Sequence, residues 1–252
     1  MNCPNWSNLW TVRILTYNVH SCVGTDGVRS AERIAAVIAE SNPDVVALQE
    51  LDHGRRRSRH VHQAQLIAEL LEMHFHFHPA FRIAEEEYGD AILSRYPLRL
   101  KQAGALPTVS SGLFLESRGA LWVEIEVAGR SWQVLNTHLG LGRAERLAQV
   151  QALLGPNWAG AIREDLPILI CGDFNSRAGG RVHRLLSTHF KEALLGARRN
   201  TFPSRFPMLC LDYVFVGAGV DVRAVEVPRN QLARIASDHL PVLVAVTETA
   251  RK

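Results

Sequence analysis

The sequence predicts an α/β fold in which two packed mixed sheets carry helices on their outer faces. A strand–helix–strand block opens the chain, and a second strand–helix block follows past its middle. Between the blocks, short strands separated by tight turns predict an antiparallel stretch at residues 91–138. Because every sheet and helix must bury its apolar face, two facing sheets covered by helices satisfy this pattern.

The first block extends from residue 12 to residue 78. It predicts a strand at 12–17, a helix after Ser30 that ends before Pro43, a strand ending at Glu50, a helix at 63–72 and a strand at 73–78. Ser30 is a suitable helix cap, and Ile34, Ala35 and Ile38 fall on one helical face. The alternating histidines and phenylalanines of 73–78 have the period of a half-exposed strand.

The rest of the chain continues with the same two kinds of element. It predicts strands at 91–93, 121–127 and 132–135, a helix at 143–154, a strand ending at Asp173, a short helix at 182–186 and closing strands at 212–216, 220–227 and 242–246. With 252 residues and 47% hydrophobic content, the chain can form one large core. We therefore predict a single domain over 1–252, with its core at about 12–246.

Composition favours a soluble protein of a reducing compartment. The cysteines, which are Cys3, Cys22, Cys171 and Cys210, show neither paired nor zinc-ligand spacing. No apolar stretch approaches the roughly 18 residues of a membrane span, and the N-terminus lacks a basic start. These features predict a cytoplasmic protein without a transmembrane segment.

The net charge of +3 and the arginine-rich run at 55–59 suit an anionic partner, although such a run is equally typical of a solvated loop.

Five apolar runs end abruptly at polar residues that suit a metal ion and a phosphate. These residues are Asn18, Glu50, His138, Asp173 with Asn175, and the pair Asp238 and His239. Side chains at the ends of neighbouring strands converge on one rim of a sheet. The sequence therefore predicts one site assembled from distant segments.

Carboxylate and amide oxygens in this set predict a site for a hard divalent cation. Mg²⁺ prefers oxygen ligands and keeps several waters, so one or two carboxylates and an amide oxygen suffice. Glu50 and Asn18 are such donors at adjacent strand ends. Taken alone, Glu50 fits a surface position and Asn18 fits a turn, but their placement beside the other clusters favours the metal site.

The segment after the strand at 168–173 predicts a catalytic base. Asp173 can accept a proton from an attacking water, while Asn175 orients that water or a phosphate oxygen. The alternative is an Asx turn that caps the next segment. No Walker-type loop, GxSxG elbow or HExxH helix is present, which argues against a nucleoside triphosphatase, a serine hydrolase and a zinc peptidase.

Two histidines at strand ends predict phosphate contacts. Asp212 can hydrogen-bond His239 and favour its protonated form, which would stabilise negative charge on a phosphoryl oxygen. A lone histidine near a strand is usually structural, but His138 supplies a second imidazole at another strand end. The alternating histidines at 74, 76 and 78 are interpreted as one polar strand face, because a soft-metal site needs ligands from more than one segment.

Taken together, a set of ordered motifs closely resembles the endonuclease/exonuclease/phosphatase superfamily. The motifs are Tyr17-Asn18, Leu48-Gln49-Glu50, Gly89-Asp90-Ala91-Ile92-Leu93-Ser94-Arg95, Asn136-Thr137-His138-Leu139, Gly172-Asp173-Phe174-Asn175, Leu211-Asp212-Tyr213 and Ser237-Asp238-His239. The resemblance implies a four-layered α/β/β/α sandwich of two mixed, mainly antiparallel sheets, as in deoxyribonuclease I. It also implies hydrolysis of a phosphoester that depends on Mg²⁺ or Mn²⁺.

The resemblance further implies a role for each motif residue. Asn18 and Glu50 would hold the metal, with Asp238 at or near it. Asp173 would activate water and Asn175 would position it. The scissile phosphate would be bound by His138 and by His239, which pairs with Asp212, and Arg118 matches a position that often contacts phosphate in relatives.

The histidine at 138 bears on the substrate. Exonuclease III-type repair enzymes usually have tyrosine there, whereas relatives of deoxyribonuclease I, sphingomyelinase and inositol phosphatase type have histidine. We therefore predict a metal-dependent phosphodiesterase, and specifically a nuclease of the deoxyribonuclease I type with nucleic acid as substrate. The alternatives are a phospholipid or inositol-phosphate phosphoesterase, which would bind a phospholipid headgroup, and a catalytically inactive phosphate-binding module.

Overall fold

A computed structural model describes residues 11–109, 116–194 and 199–249 of the chain. Its strands are β1 (Thr11–Asn18), β2 (Val45–His53), β3 (His74–Ile83), β4 (Glu86–Ser94), β5 (Leu98–Ala105), β6 (Gly119–Val127), β7 (Arg130–His138), β8 (Ile168–Asp173), β9 (Lys191–Glu192), β10 (Asp212–Val216), β11 (Val220–Glu226) and β12 (Val242–Glu248). Its α-helices are α1 (Ala31–Ser41), α2 (Gln63–Leu70), α3 (Arg143–Leu154), α4 (Arg181–Ser187) and α5 (Gln231–Ala236). Of the four cysteines, Cys3 lies outside the described residues.

The strands form two six-stranded sheets, which confirms the predicted fold class. The first sheet has the order β11-β12-β1-β2-β4-β3, and the second has the order β5-β6-β7-β8-β10-β9. Each sheet contains one parallel pair, β1 with β2 and β7 with β8, and its other pairs are antiparallel. None of the described helices is long and apolar enough to cross a membrane.

Three apolar clusters hold the four layers together. Between the sheets, inward-facing residues such as Ile14, Val134 and Val244 form the central cluster. Helices α1, α2 and α5 cover the outer face of the first sheet, while α3 and α4 cover the second. The central cluster buries one face of each sheet and an outer cluster buries the other. The strands are therefore buried on both faces, which is why their sequences are nearly continuously apolar.

Most predicted elements are confirmed, and the differences occur where the apolar pattern is weak. Ser30 caps α1 by accepting a hydrogen bond from the Arg33 backbone N–H at 3.1 Å. The sequence did not predict β5, β9 or the short helix α5. Two strands are longer than predicted, because β2 continues past Glu50 to His53 and the edge strand β3 continues past Pro79. An edge strand tolerates proline, since one side of its backbone has no partner strand.

The two parallel pairs bring the functional strand ends to one rim of the sandwich. In the second sheet His138 is in register with Asp173, and in the first sheet Asn18 is in register with Gln49. A buried amide pair ties the sheets together behind this rim, because Gln49 Nε2 donates to Asn136 Oδ1 at 2.7 Å. Asn136 Nδ2 in turn donates to the carbonyls of Leu48 and Ala91 at 2.8 and 2.9 Å.

We expect Gly172→Ala to destabilise the fold strongly. Gly172 has a φ of +145°, and an added Cβ would lie 1.8 Å from the Thr137 carbonyl oxygen on the adjacent strand. Backbone strain and the clash together should lower the free energy of unfolding by at least about 3 kcal/mol. Urea denaturation measures this change. Gly104→Ala is the matched control, because its added Cβ would make only an ordinary 3.7 Å contact with Trp158, and an equal loss in both variants would contradict the explanation.

Candidate active site

A β-bulge at the end of β2 aims Glu50 at the rim. The pairing of β2 with β4 shifts between Leu48 and Leu51, and Glu50 itself adopts a φ of +65°. The backbone N–H of Glu50 donates to the buried carboxylate of Asp90 on the partner strand. Such bulges insert one extra residue and redirect a side chain. Asp90 therefore fixes the backbone conformation that presents the Glu50 carboxylate.

Asn18 connects the carboxylates contributed by the two sheets. Its Nδ2 donates to Glu50 Oε1 at 2.9 Å and to Asp173 Oδ2 at 3.0 Å. Its Oδ1 accepts a hydrogen bond from the His20 backbone N–H at 3.1 Å. The residue predicted as a metal ligand thus lies between the predicted ligand and the predicted base, and in this amide orientation it holds both carboxylates in place.

Asp173 is an almost fully buried carboxyl group. Its Oδ1 accepts a hydrogen bond from the Asn175 backbone N–H at 2.8 Å, which is the geometry of the Asx turn considered as an alternative. Burial raises its pKa to about 7, the nearby charge of Asp212 adds to the rise, and His239 opposes it. Asp173 therefore both forms the turn and has a pKa suited to accepting a proton near neutral pH.

His239 and Asp212 form a buried ion pair, as the sequence predicts. Their Nδ1 and Oδ2 atoms are 2.9 Å apart, and Thr201 donates its hydroxyl to the same carboxylate. Burial lowers the pKa of His239, but the charge and hydrogen bond of Asp212 outweigh burial and raise it to about 10. The imidazole is therefore protonated at neutral pH, and its Nε2 lies 3.7 Å from Asp173 Oδ2.

His138 has the opposite character, although it lies beside the same carboxylate. Burial lowers its pKa well below the usual value, and the charges of Arg118 and His239 lower it further. Arg118 Nη1 lies 3.1 Å from Nδ1, while Nε2 lies 3.6 Å from Asp173 Oδ2 and 3.0 Å from Asn175 Nδ2. Both ring nitrogens therefore face hydrogen-bond donors, and a neutral imidazole can accept from only one of them.

Asp238 lies farther out than the other predicted residues. Its side chain is 37% exposed, and its Oδ1 is 3.8 Å from Nδ1 of His20. The Ser237 hydroxyl oxygen lies 3.4 Å from the same carboxylate oxygen. Asp238 therefore borders the rim, next to a histidine that the sequence analysis did not select.

The comparisons with known proteins identify the family. The Endonuclease/Exonuclease/phosphatase family model matches residues 15–239. The chain belongs to this family. The members of the endonuclease/exonuclease/phosphatase family are metal-dependent phosphoric ester hydrolases, which agrees with the carboxylates and imidazoles at the rim.

Individual members of the family resemble the chain over nearly its whole length. Escherichia coli (strain K12) protein YbhP is 26% identical in an alignment of 255 positions that covers 95% of this chain and 97% of YbhP. The endonuclease/exonuclease/phosphatase from Beutenbergia cavernae DSM 12333 has a TM-score of 0.75 at 23% identity, covering 95% of this chain and 72% of that one. A mannosyl-6-phosphatase from Bacteroides thetaiotaomicron VPI-5482 has a TM-score of 0.72 at 19% identity, covering 93% and 99%. These structural likenesses show the shared fold.

The donor set of this family member fits a divalent cation. Asp173, Asp212 and His239 form the one group among the described residues whose potential ligand atoms all lie within 4.8 Å of one another. The Nδ1 of His239 is already hydrogen-bonded to Asp212, however, which leaves only Nε2 of this ring towards the cavity. Glu50 offers an oxygen donor that is 20% exposed and opens to a cavity of about 570 Å³. Such a carboxylate suits Mg²⁺ or Mn²⁺.

Two functional residues escaped the sequence analysis. Asp90 stood in a recognised motif without an assigned role, and Tyr88 donates its hydroxyl to the Glu50 carboxylate. Both residues flank Gly89, but they face the end of β2 only because β4 pairs with it. That pairing is a property of the folded sheet. The alternating histidines 74, 76 and 78 lie on β3, outside the Asp173–Asp212–His239 group.

Proposed function

We propose that the chain is a Mg²⁺- or Mn²⁺-dependent phosphodiesterase, and specifically a nuclease of the deoxyribonuclease I type. One observation carries the proposal. A buried carboxyl group with a pKa of about 7, Asp173, lies between a protonated imidazole, a neutral imidazole and the amide that holds Glu50. Base, cationic donor and metal carboxylate are the groups required for attack of water on a phosphoester.

Glu50 is the proposed principal metal ligand. Of the other ligands predicted from the sequence, Asn18 donates to the Glu50 carboxylate, whereas Asp238 lies farther out beside His20. A bound divalent cation would neutralise charge on the phosphoryl oxygens and polarise the phosphorus towards attack. Asp90, Tyr88 and Asn18 orient the glutamate through its backbone and its carboxylate, so the ligand is ordered before any cation binds.

Asp173 is the proposed general base. Its ionised carboxylate takes a proton from the attacking water, and its fixed position between Asn18 and Asn175 sets the direction of attack. Asn175 Nδ2 donates to the Leu139 carbonyl at 2.9 Å, which keeps its side chain beside the same cavity. In-line displacement needs such positioning more than it needs covalent chemistry.

His239, His138 and Arg118 are the proposed phosphate contacts. Protonated His239 directs its Nε2–H towards the space beside Asp173, and Asp212 keeps the proton on the ring. Neutral His138 lies beside the same region, and buried Arg118 supplies a positive charge behind it. Preorganised donors of this kind stabilise charge that develops on phosphoryl oxygens.

Arginines at the rim support nucleic acid as the substrate. The cavity that holds Glu50 and Asp173 is also lined by Arg29 and Arg57, which are not needed for a single phosphate.

A phospholipid ester is the second candidate, because Leu141 lines the cavity and is 73% exposed, and Phe206 and Met208 are also exposed. An inactive phosphate-binding module is disfavoured, since every motif position carries a side chain able to perform its role. A cytoplasmic location remains part of the proposal.

A substrate panel with and without EDTA tests the proposal. Plasmid DNA, RNA, phospholipid vesicles, a sugar phosphate and bis(p-nitrophenyl) phosphate are each incubated with the purified chain. We expect Mg²⁺-dependent cleavage of DNA and of the generic diester. Cleavage of vesicles with DNA untouched would overturn the nuclease proposal, and turnover unaffected by EDTA would overturn the metal mechanism.

Glu50→Gln should raise the Mg²⁺ concentration needed for half-maximal activity by about ten-fold or more, because the amide keeps the shape but loses the charge that binds the cation. Metal titration of activity measures this shift. Glu126→Gln, an exposed position on β6, is the matched control. An unchanged metal requirement in Glu50→Gln would remove Glu50 from the metal site.

A further inference from the structure

We propose that Arg29 and Arg57 form a second phosphate subsite, which binds a neighbouring phosphate of the same nucleic-acid strand. This inference rests on the proposed function and adds to it the requirement for more than one phosphate. The two arginines line the cavity of about 570 Å³ at the reaction centre and also an adjoining cavity of about 440 Å³. A strand bound at Asp173 would therefore pass them on its way out.

Arg57 is held rigidly in a position where its charge faces this opening. Its Nε and Nη2 donate to the two oxygens of Asp52 at 2.9 and 2.7 Å, and Nη2 also donates to Ser21 Oγ at 2.8 Å. Asp52 is fully buried, whereas the arginine side chain remains 44% exposed. Two parallel hydrogen bonds to a buried carboxylate fix the guanidinium plane, so binding costs little side-chain entropy.

Arg29 brings a positive charge that no carboxylate balances among the described residues. Its Nε donates to the Ser21 carbonyl at 3.1 Å and its Nη1 donates to the Arg57 carbonyl. Both partners are neutral. The Ser21 carbonyl also accepts a hydrogen bond from Gln63 Nε2 at 2.8 Å, which fixes a turn whose three residues, 20–22, all have positive φ. A cation held by neutral partners at a cavity wall attracts an anion.

The adjoining cavity has a positive balance of charge. Its charged lining residues are Arg29, Arg57, Arg59 and Glu32. Glu32 accepts a hydrogen bond from the Ser30 hydroxyl at 2.8 Å, at the start of α1. Because Arg57 is paired with Asp52, Arg29 and Arg59 against Glu32 leave a net positive charge that suits a polyanion, and an ester with a single phosphate would leave this cavity unused. Repeated phosphates are the feature that distinguishes a nucleic-acid strand from the generic diester.

The test compares a substrate of many phosphates with a substrate of one. We measure kcat/KM for a single-stranded oligonucleotide and for bis(p-nitrophenyl) phosphate, in wild type, Arg29→Gln and Arg59→Gln. The oligonucleotide-to-diester ratio should fall about ten-fold in Arg29→Gln, because one charge-assisted contact is lost. Arg99→Gln, on β5 with its side chain 73% exposed, is the control and should keep the wild-type ratio.

Binding in EDTA separates the subsite from catalysis. The affinity for a fluorescent oligonucleotide is measured by anisotropy over a salt series, and Arg29→Gln should reduce the slope of log K against log salt by about 0.7. If wild type hydrolyses neither substrate, the proposed function fails, while this measurement still decides the subsite. If Arg29→Gln fails to fold, Arg59→Gln decides it instead, because Arg59 lines the adjoining cavity through which the strand would leave and its removal should reduce the salt slope by the same amount.

Three results would overturn the proposal. The first is a wild-type ratio and salt slope in both variants. The second is an equal loss on both substrates, which would mean that Arg29 only supports the Ser21 turn. The third is a result in which Arg29→Gln weakens binding to vesicles containing a bisphosphorylated inositol lipid but leaves binding to the oligonucleotide unchanged. The second phosphate would then belong to a lipid headgroup.

Discussion

Replacing Asp173 with asparagine is expected to lower kcat for phosphodiester hydrolysis by a factor of about 10² to 10⁴, the usual contribution of a general base. The amide keeps the size of the side chain but cannot take a proton from water. Its surroundings are otherwise complete, because Glu50 and His138 come from other strands and His239 comes from the segment before β12. Initial rates on bis(p-nitrophenyl) phosphate at saturating Mg²⁺ measure the effect.

The stability of the Asp173→Asn variant separates this loss from unfolding. Burial of the ionised carboxylate is unfavourable, which is why its pKa is raised to about 7, so the variant should unfold at a temperature close to that of wild type above neutral pH. Asp221→Asn, on exposed β11, is the matched control for introducing an asparagine. A folded Asp173→Asn protein with the wild-type rate would show that another group accepts the proton.

Asp212→Asn is expected to lower activity about 10² to 10³-fold at neutral pH and to change the shape of the pH profile. In wild type, activity should rise as pH increases and Asp173 loses its proton, and it should fall as pH increases through about 10, where His239 loses its proton. Asp212 keeps His239 charged. Without it, the cationic donor is lost, at a cost typical of one donor to a developing oxyanion.

Both limbs of the profile should move to lower pH in Asp212→Asn. The alkaline limb moves because burial, the largest influence on the pKa of His239, is then opposed only by the smaller effects of Asp173 and Asp238. The acidic limb moves because Asp212, whose charge raises the pKa of Asp173 more than His239 lowers it, is gone. A bound cation also stabilises ionised Asp173, so the acidic limb of the Mg²⁺-loaded protein lies below its metal-free position. The profile of kcat/KM from pH 5 to 11 measures these shifts. An unmoved alkaline limb would show that His239 does not act as the cationic donor.

Strands and site residues were predictable from the sequence where burial and strand ends coincide. A run such as Ile168–Asp173 is buried on both faces, so apolar character and its abrupt end in Asp173 both follow from the position in the sheet. His138 was selected for the same reason and does end β7, whereas Glu50 lies at a bulge inside β2 and His239 precedes β12. The parallel pairs β1–β2 and β7–β8 then explain why their ends meet at one rim.

The remaining features depend on pairings that the local sequence does not encode. β5 has mostly exposed residues and no clear alternation, and α5 has only six residues, although Asn230 caps it. The bulge at Glu50 requires knowledge that β2 pairs with β4, and without that pairing Asp90 has no role. The arginine run at 55–59 was equally compatible with a loop, because its support, buried Asp52, comes from the end of β2.

The most direct test of the account is a crystal structure of the protein with Mn²⁺ and inorganic phosphate, in which anomalous scattering locates the metal. We predict manganese at the Glu50 carboxylate and phosphate in contact with His239 and His138, with Asp173 facing the phosphate. Manganese bound within the Asp173–Asp212–His239 group, or away from this rim, would contradict the assignment of Asp173 as base and of Glu50 as ligand.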